Sequence, residues 1–306
     1  MTEERLEFIV KDRGERVDKL VQANLPAYDL SRSQVQALIK DGHITVNGAP
    51  TKPGVKLSGG EKIGVTIPAE EDEDTTPQAE EMPLDFVYED EYLGVINKPA
   101  GLVVHPGVGN ETGTLVNGLL ARYPWLVETE RKGIVHRLDK ETSGLMLIGK
   151  QADTIEALMS QFQERTVDKA YLAFTERVPR TSIGTIDAPI GRDPKQRKRM
   201  AVVRNGKSAV TEFEVLEQDF LGDQALIRCV IHTGRTHQIR VHLAFIGAPV
   251  VGDTVYGYRK QRLTLKRHFL HAAELAFDHP VSGERLIFES ELPAGLQNTL
   301  DKLRRK

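Results

Sequence analysis

The chain has 306 residues, length for two or three domains and a sizeable core. Its 41 basic and 44 acidic side chains give a formal net charge of −3, so bulk charge selects neither a polyanion nor a membrane surface. A single cysteine, Cys229, excludes an intrachain disulfide framework and suits a reducing cytoplasm; in its apolar stretch it reads as a small buried hydrophobe. The start, MTEERLEFIV, has neither the basic flank nor the apolar core of a signal peptide, and no run approaches the ~18 apolar residues of a membrane span.

Val17, Leu20 and Val21 fit one face of a short helix. A second amphipathic helix runs from Leu30 to Lys40, with serine at its start, Val35, Leu38 and Ile39 on one face, and Asp41-Gly42 closing it. Ile44 to Val46 is a short strand, and Asn47-Gly48 is a strong hairpin signal. A last strand spans Ile63 to Ile67. The expected order is helix, helix, hairpin, with Arg32, Lys40 and Lys52 available on one side. These bases read equally as a solvated surface or as contacts for nucleic acid.

Ala69 to Met82 carries seven acids, no base and one proline, and reads as a solvated linker. The expected organisation is therefore a small domain over 1–68, an acidic linker over 69–82 and a larger domain over 83–306. In the larger domain Phe86 to Tyr88, Gly94 to Asn97, Ala170 to Phe174, Val210 to Leu216 and Ala225 to Ile231 read as strands. Thr114 to Ala121 and Asp153 to Phe162 read as helices. The mixture predicts an α+β fold with a mixed, mostly antiparallel sheet.

Two basic clusters stand out against the mildly acidic whole. Gly191 to Lys207 holds seven Arg or Lys, among them Arg197, Lys198 and Arg199, against one Asp. Arg259, Lys260, Arg262, Lys266 and Arg267 form the second. Together they could neutralise many phosphates, the main source of nucleic-acid affinity; the plain alternative is a basic surface loop. Thr233-Gly234-Arg235 is a turn between a strand and a helix on which Ile239, Leu243 and Ile246 share a face, and Arg235 at that corner is a candidate functional residue. His237 and His242 are five apart, which spoils the shared face zinc motifs use, and no cysteine pair is present, so no metal site is expected.

The remaining stretch is Gly133 to Lys150, GIVHRLDKETSGLMLIGK, whose polar centre lies between Ile134-Val135 and the apolar run Leu145 to Ile148. Asp139 is either a surface loop acid or a carboxylate held near the core for chemistry.

HRLDKETSG resembles the catalytic motif H-R-L-D-x-x-[ST]-[ST]-G of the RluA-type pseudouridine synthases, matched at His136, Arg137, Leu138, Asp139, Thr142, Ser143 and Gly144. Ile96 to Gly107 is similar to that family's first motif, Lys169-Ala170-Tyr171 to its Lys-x-Tyr element, and Thr233 to Leu243 to its TGRxHQIRxH element. The first domain resembles an RNA-binding module of the ribosomal protein S-four type, matched at Ser31-Arg32-Ser33-Gln34 and Val46-Asn47-Gly48. The HPGVGNETGT loop and the attached module most resemble the large-subunit ribosomal RNA synthases.

The resemblance implies isomerisation of specific uridines to pseudouridine in large-subunit ribosomal RNA, free or within a pre-ribosomal subunit, in the cytoplasm. No cofactor is implied, and a monomer is the default expectation. Asp139 is implied as the catalytic carboxylate, Tyr171 as a ring stacked on a flipped-out uracil with its hydroxyl near C5, and Arg137 as the filler of the vacated space. His136 is left structural. RNA contacts are expected at Arg137, Lys169, Ser31, Arg32, Gln34, Lys40, Asn47, Lys52, Arg197, Lys198 and Arg199. A free Asp has a pKa of about 3.9. Burial can raise it by ~3–5 units, and a neighbouring Arg lowers it by ~1–3. An Asp139–Arg235 ion pair is therefore expected, as the resemblance implies. Two rival readings are a glycoside-bond hydrolase, which needs a second carboxylate such as Glu141, and a non-catalytic RNA-binding or ribosome-assembly protein, which has no need of Asp139.

Overall fold

A computed structural model describes residues 4–11, 13–25, 28, 30–67, 76–107, 109–196, 199–263 and 265–305. The chain divides into two units, Met1–Thr75 and Thr76–Lys306.

The first unit contains β1 (Glu4–Ile9), α1 (Val17–Asn24), α2 (Arg32–Lys40), β2 (Ile44–Val46), β3 (Ala49–Pro50) and β4 (Lys62–Ile67). Its antiparallel sheet runs β1-β4-β2-β3. Val17 and Val21 of α1 and Val35 and Ile39 of α2 bury against Ile44, Ile63 and Val65, which is the periodicity of the sequence realised as a core. Strand β1 was not expected; it adds an edge to β4. Asn47 and Gly48 both take positive φ, 51° and 78°, as a two-residue hairpin requires.

The second unit is built on a nine-stranded sheet, in which β7–β14 is a parallel pair. Its strands are β5 (Phe86–Glu89), β6 (Leu93–Lys98), β7 (Ser143–Gly149), β8 (Asp168–Thr175), β9 (Ile183–Asp187), β12 (Val210–Phe220), β13 (Gln224–Ile231), β14 (Leu270–Asp278) and β15 (Arg285–Glu289). The order is β5-β6-β7-β14-β8-β13-β12-β9, with β15 also paired to β14. A separate hairpin, β10 (Ile190–Arg192) with β11 (Met200–Val202), carries the first basic cluster. The helices are α3 (Leu115–Arg122), α4 (Ala152–Glu164), α5 (Gln238–Phe245) and α6 (Ala294–Arg304). The α+β class with a mostly antiparallel sheet is as expected. All of β7 is buried, so the apolar run after the polar loop is a central strand.

The acidic stretch is described only in part, and its described residues are mostly exposed. Residues 68–75 lie outside the described residues, but residues 78–82 run along the second unit. Asn117 is fully buried on α3 and needs partners. Its side-chain amide donates to the Gln78 carbonyl at 2.7 Å, and its own carbonyl accepts the Glu80 N–H at 3.0 Å. Glu80 in turn accepts the Gly113 N–H at 2.7 Å. Beside Gly118, a β-carbon would lie 2.6 Å from the Met82 side chain, so glycine there makes room for Met82.

Candidate active site

The loop from His136 to Thr142 enters β7 in the middle of the sheet, and its shape is set from beneath. Lys98 is fully buried, and its ammonium donates to the carbonyls of Pro99 and Leu102 at 2.9 Å and of Lys140 at 3.1 Å. Burial pushes its pKa down to about 8, against the opposing pull of the Asp139 and Glu141 charges. Arg267 donates to the Glu141 carbonyl and to Ser143 Oγ, both at 2.9 Å. It therefore braces the loop rather than joining a surface cluster, which corrects that expectation. Ser143 Oγ also lies 2.9 Å from His271 Nδ1, and Thr142 Oγ1 lies 2.8 Å from His268 Nε2. Gly144 has φ 115°, and a β-carbon there would lie 2.2 Å from the Ala272 carbonyl oxygen, so the close β7–β14 approach demands glycine.

His136 is structural, but it bonds outside its own loop. Its Nε2 accepts the Leu147 N–H at 2.8 Å, and its ring stacks on Phe162 at 4.7 Å. Burial, with the nearby Lys169 charge, pushes its pKa down to about 3, so the imidazole is neutral.

Asp139 opens on a cleft that it lines with Arg137, Tyr171, Arg235, His237 and Arg240. The expected Asp139–Arg235 ion pair does not form. Asp139 Oδ2 instead accepts Arg240 Nη1 at 3.0 Å. Arg235 stands at the rim, where its Nε donates to the Ser208 carbonyl at 2.9 Å. The reason is the helix start. Gln238 closes the turn by accepting from Thr233 Oγ1 and the Arg235 N–H, so α5 begins after Arg235 and directs Arg240 inward. Arg240 is then gripped by Asp253, with Nε at 2.7 Å and Nη2 at 3.1 Å from its two oxygens. The Asp253 side chain is fully buried and also accepts the Val255 and Tyr256 N–H groups at 2.8 and 3.0 Å. Burial opposes its charge, but Arg240 and those amides hold its pKa below the usual range, so the pair is ionised. Sequence reasoning missed Arg240 and Asp253. Arg240 was visible as the second arginine of the TGRxHQIRxH element, whereas Asp253 has no local signal.

Tyr171 lies on β8 between Cys229 of β13 and Ala272 of β14 and is 6% exposed, its ring lining the cleft beside Asp139. Burial and the Asp139 charge push its hydroxyl pKa well up, so it stays protonated. Cys229 is buried, and burial pushes its pKa up to about 12.

A second hollow beside the cleft is lined by Arg131, Arg137, Arg165, Lys169, His232 and Arg235 among others. Arg137 is exposed there. Lys169 is not a surface contact: it is buried, its ammonium donates to the Val167 carbonyl at 2.9 Å, and it lies over the Phe162 ring. Arg199 is part-buried, its guanidinium 5.2 Å from the Tyr256 ring centre. Arg197 and Lys198 lie outside the described residues.

In the first unit several expected contacts serve the fold. Ser31 and Gln34 form a capping box at the start of α2. Arg32 pairs at 3.0 Å with Asp18, which is fully buried. Burial works against that carboxylate's charge, but hydrogen bonds from Gln36, Arg16 and Arg32 outweigh it and hold the pKa at about 2. Asn47 Oδ1 accepts the Lys62 N–H at 2.8 Å. Lys40 and Lys52 are exposed.

The histidines weighed as metal ligands are occupied by protein. His242 is fully buried with Nδ1 2.9 Å from Thr211 Oγ1 and Nε2 2.9 Å from the Ala188 carbonyl. His237 Nδ1 lies 2.8 Å from the Tyr256 hydroxyl.

The family model described as RNA pseudouridylate synthase matches residues 92–245, from β6 through α5, and the S4 domain model matches residues 15–63. The chain belongs to the RNA pseudouridylate synthase family. It is 45% identical over 300 residues to an uncharacterised RNA pseudouridine synthase, YlyB, of Bacillus subtilis, covering 96% of each chain. It is 44% identical over 303 residues to the ribosomal large subunit pseudouridine synthase D of Pseudomonas aeruginosa, covering 95% of this chain and 92% of that one. A solved structure of human RNA pseudouridylate synthase domain containing 4 superposes with a TM-score of 0.58 at 30% identity, over 72% of this chain and 93% of that one. Family membership makes the protein an enzyme with RNA as its partner. Among the described residues, no helix is long and apolar enough to cross a membrane.

Proposed function

We propose that the protein converts uridines of large-subunit ribosomal RNA to pseudouridine, with Asp139 as the catalytic carboxylate and no cofactor. The observation that carries the reading is the Asp139–Arg240–Asp253 chain beside the Tyr171 ring. It holds one carboxylate in fixed orientation at the wall of a cleft. The reaction breaks the N1–C1′ bond, turns the base, and joins C5 to C1′ with loss of the C5 proton. A carboxylate at C1′ serves as nucleophile or as counter-charge to the sugar. Tyr171 offers a face for the flipped uracil, and its protonated hydroxyl favours stacking over proton abstraction. Arg137, exposed beside the cleft, is positioned to fill the gap left in the RNA.

Residues 1–68 are read as an RNA-binding module, with Lys40 and Lys52 as its phosphate contacts, and 83–306 as the catalytic domain. The large-subunit assignment is supported by relatives such as the Pseudomonas aeruginosa protein. The hydrolase reading is disfavoured because Glu141 is not among the residues lining the Asp139 cleft, and Asp253 is fully buried and held by Arg240. Pseudouridine mapping on unmodified large-subunit ribosomal RNA tests the substrate. New sites there support the proposal; sites formed only in transfer RNA would move the substrate class.

A further inference from the structure

One polar side chain in the cleft has no role in this account. His237 precedes α5 in the left-handed backbone region, φ 59°, where a residue with a β-carbon is strained unless its surroundings hold it. It makes no capping hydrogen bond, the usual reason for a polar residue at a helix start. Instead its ring lines the cleft, with Nε2 4.0 Å from Asp139 Oδ1.

Its tautomer follows from its partners. The Tyr256 hydroxyl accepts the Met200 N–H at 2.9 Å and lies 2.8 Å from His237 Nδ1. A phenol has one hydrogen to give. If Nδ1 carried a proton, that hydrogen would have no acceptor among the described residues, in a side chain that is buried. If Tyr256 donates to Nδ1, every group is matched, and the ring proton sits on Nε2. Burial holds the His237 pKa below its ordinary value, so this neutral form persists at neutral pH. At 4.0 Å the Nε2–H is beyond hydrogen-bond reach of Asp139, and it meets no protein acceptor among the described residues.

We propose that His237 is a catalytic residue whose Nε2–H donates to O2 of the target uracil as the N1–C1′ bond breaks, and that Tyr256 is the positioning residue that fixes its tautomer. The inference rests on Asp139 acting at C1′, as argued above. When the bond breaks, its electron pair leaves with the base and spreads onto the carbonyl oxygens. O2 is carried on C2, the atom next to N1, so a base whose C1′ faces Asp139 brings O2 near His237. A fixed donor there acts as an oxyanion hole does. No proton changes hands at His237 in this step, so the tautomer survives the turnover.

The test is single-turnover pseudouridine formation at saturating RNA, with RNA affinity measured separately, for the parent, His237→Ala, His237→Gln, Tyr256→Phe and Asp139→Asn. His237→Ala should slow the reaction by about 10²-fold with RNA affinity unchanged. His237→Gln, whose amide nitrogen reaches close to the place of Nε2, should recover part of the loss; a purely packing role would not distinguish the two in this way. The 15N signals of the parent His237 ring should show Nε2 protonated and Nδ1 bare, and Tyr256→Phe should mix the two forms and slow the reaction without loosening RNA. Tyr256→Phe also decides the matter if His237→Ala fails to fold. Parental speed in His237→Ala, or a proton found on Nδ1, would overturn the inference. A parent that makes no pseudouridine would instead overturn the proposed function, while an inactive Asp139→Asn beside a fully active His237→Ala would sink only the role of His237.

Discussion

Arg240 Nη1 lies 3.0 Å from Asp139 Oδ2. The same guanidinium gives its Nε and Nη2 to Asp253, so a buried acid far along the chain sets the direction of the candidate catalytic carboxylate. Removing Arg240 would strand Asp253 as an unpaired buried charge, and Arg240→Ala should cost about 3–5 kcal/mol of stability in urea denaturation. Arg240→Lys keeps the charge without the fork. It should fold and lose about 10²-fold in single-turnover rate. Arg235→Ala should weaken RNA binding while the rate at saturation stays near the parent's. Equal losses for Arg235→Ala and Arg240→Lys would return Arg235 to the centre of the site.

This pair also marks where the sequence stops being legible. Asp139 and Tyr171 could be placed because each sits in a short local motif. The choice between Arg235 and Arg240 could not be made, because it depends on where the turn ends and α5 begins, and Gln238 sets that through its bonds to Thr233 and Arg235. Asp253 and Lys98 act through the fold alone. Arg267 and Lys169 looked like surface bases, but each is held inward, by Ser143 and the Val167 carbonyl respectively; Arg32 stays exposed but is tied to the buried Asp18. The strands missed were short, such as β10 and β11, or Ala-rich with polar residues interspersed, such as β14, so their pairing rather than their composition makes them strands.

Gly144→Ala tests the seam between β7 and β14. The new methyl would press on the Ala272 backbone from a positive-φ position. Overpacking and backbone strain together predict a loss of about 2–5 kcal/mol in stability. A thermal unfolding midpoint unchanged from the parent would refute the seam's tightness.

Lys98→Met removes the ammonium that gathers three loop carbonyls and keeps most of the side chain's length and apolar bulk. Relief from burying a charge offsets part of the loss, leaving an expected cost of about 1–3 kcal/mol. The rate should fall as well, because Lys140, whose carbonyl Lys98 holds, is next to Asp139. Stability and rate both at parental values would mean that the loop holds its shape unaided.

Acid should loosen the same region. His136 and His268 have pKa values pushed down by burial to about 3 and about 4, against an ordinary 6.5. Between those limits the unfolded chain binds more protons than the folded one, so unfolding free energy falls as pH falls. Their stabilising effect is complete above pH 6.5 and is lost as pH drops through 6.5 toward 4. Each contributes a slope of up to about 1.4 kcal/mol per pH unit. His136→Gln, which can still accept the Leu147 N–H, should flatten the slope measured by urea denaturation from pH 7 to 4; an unchanged slope would place the acid sensitivity elsewhere.

The central claim is that Asp139 carries out the chemistry, and release of tritium from RNA labelled at C5 of its uridines measures this most directly. The parent should release tritium as pseudouridine forms, while Asp139→Asn should bind the same RNA and release none. Release by Asp139→Asn at the parental rate, with Arg240 still in place, would contradict the account.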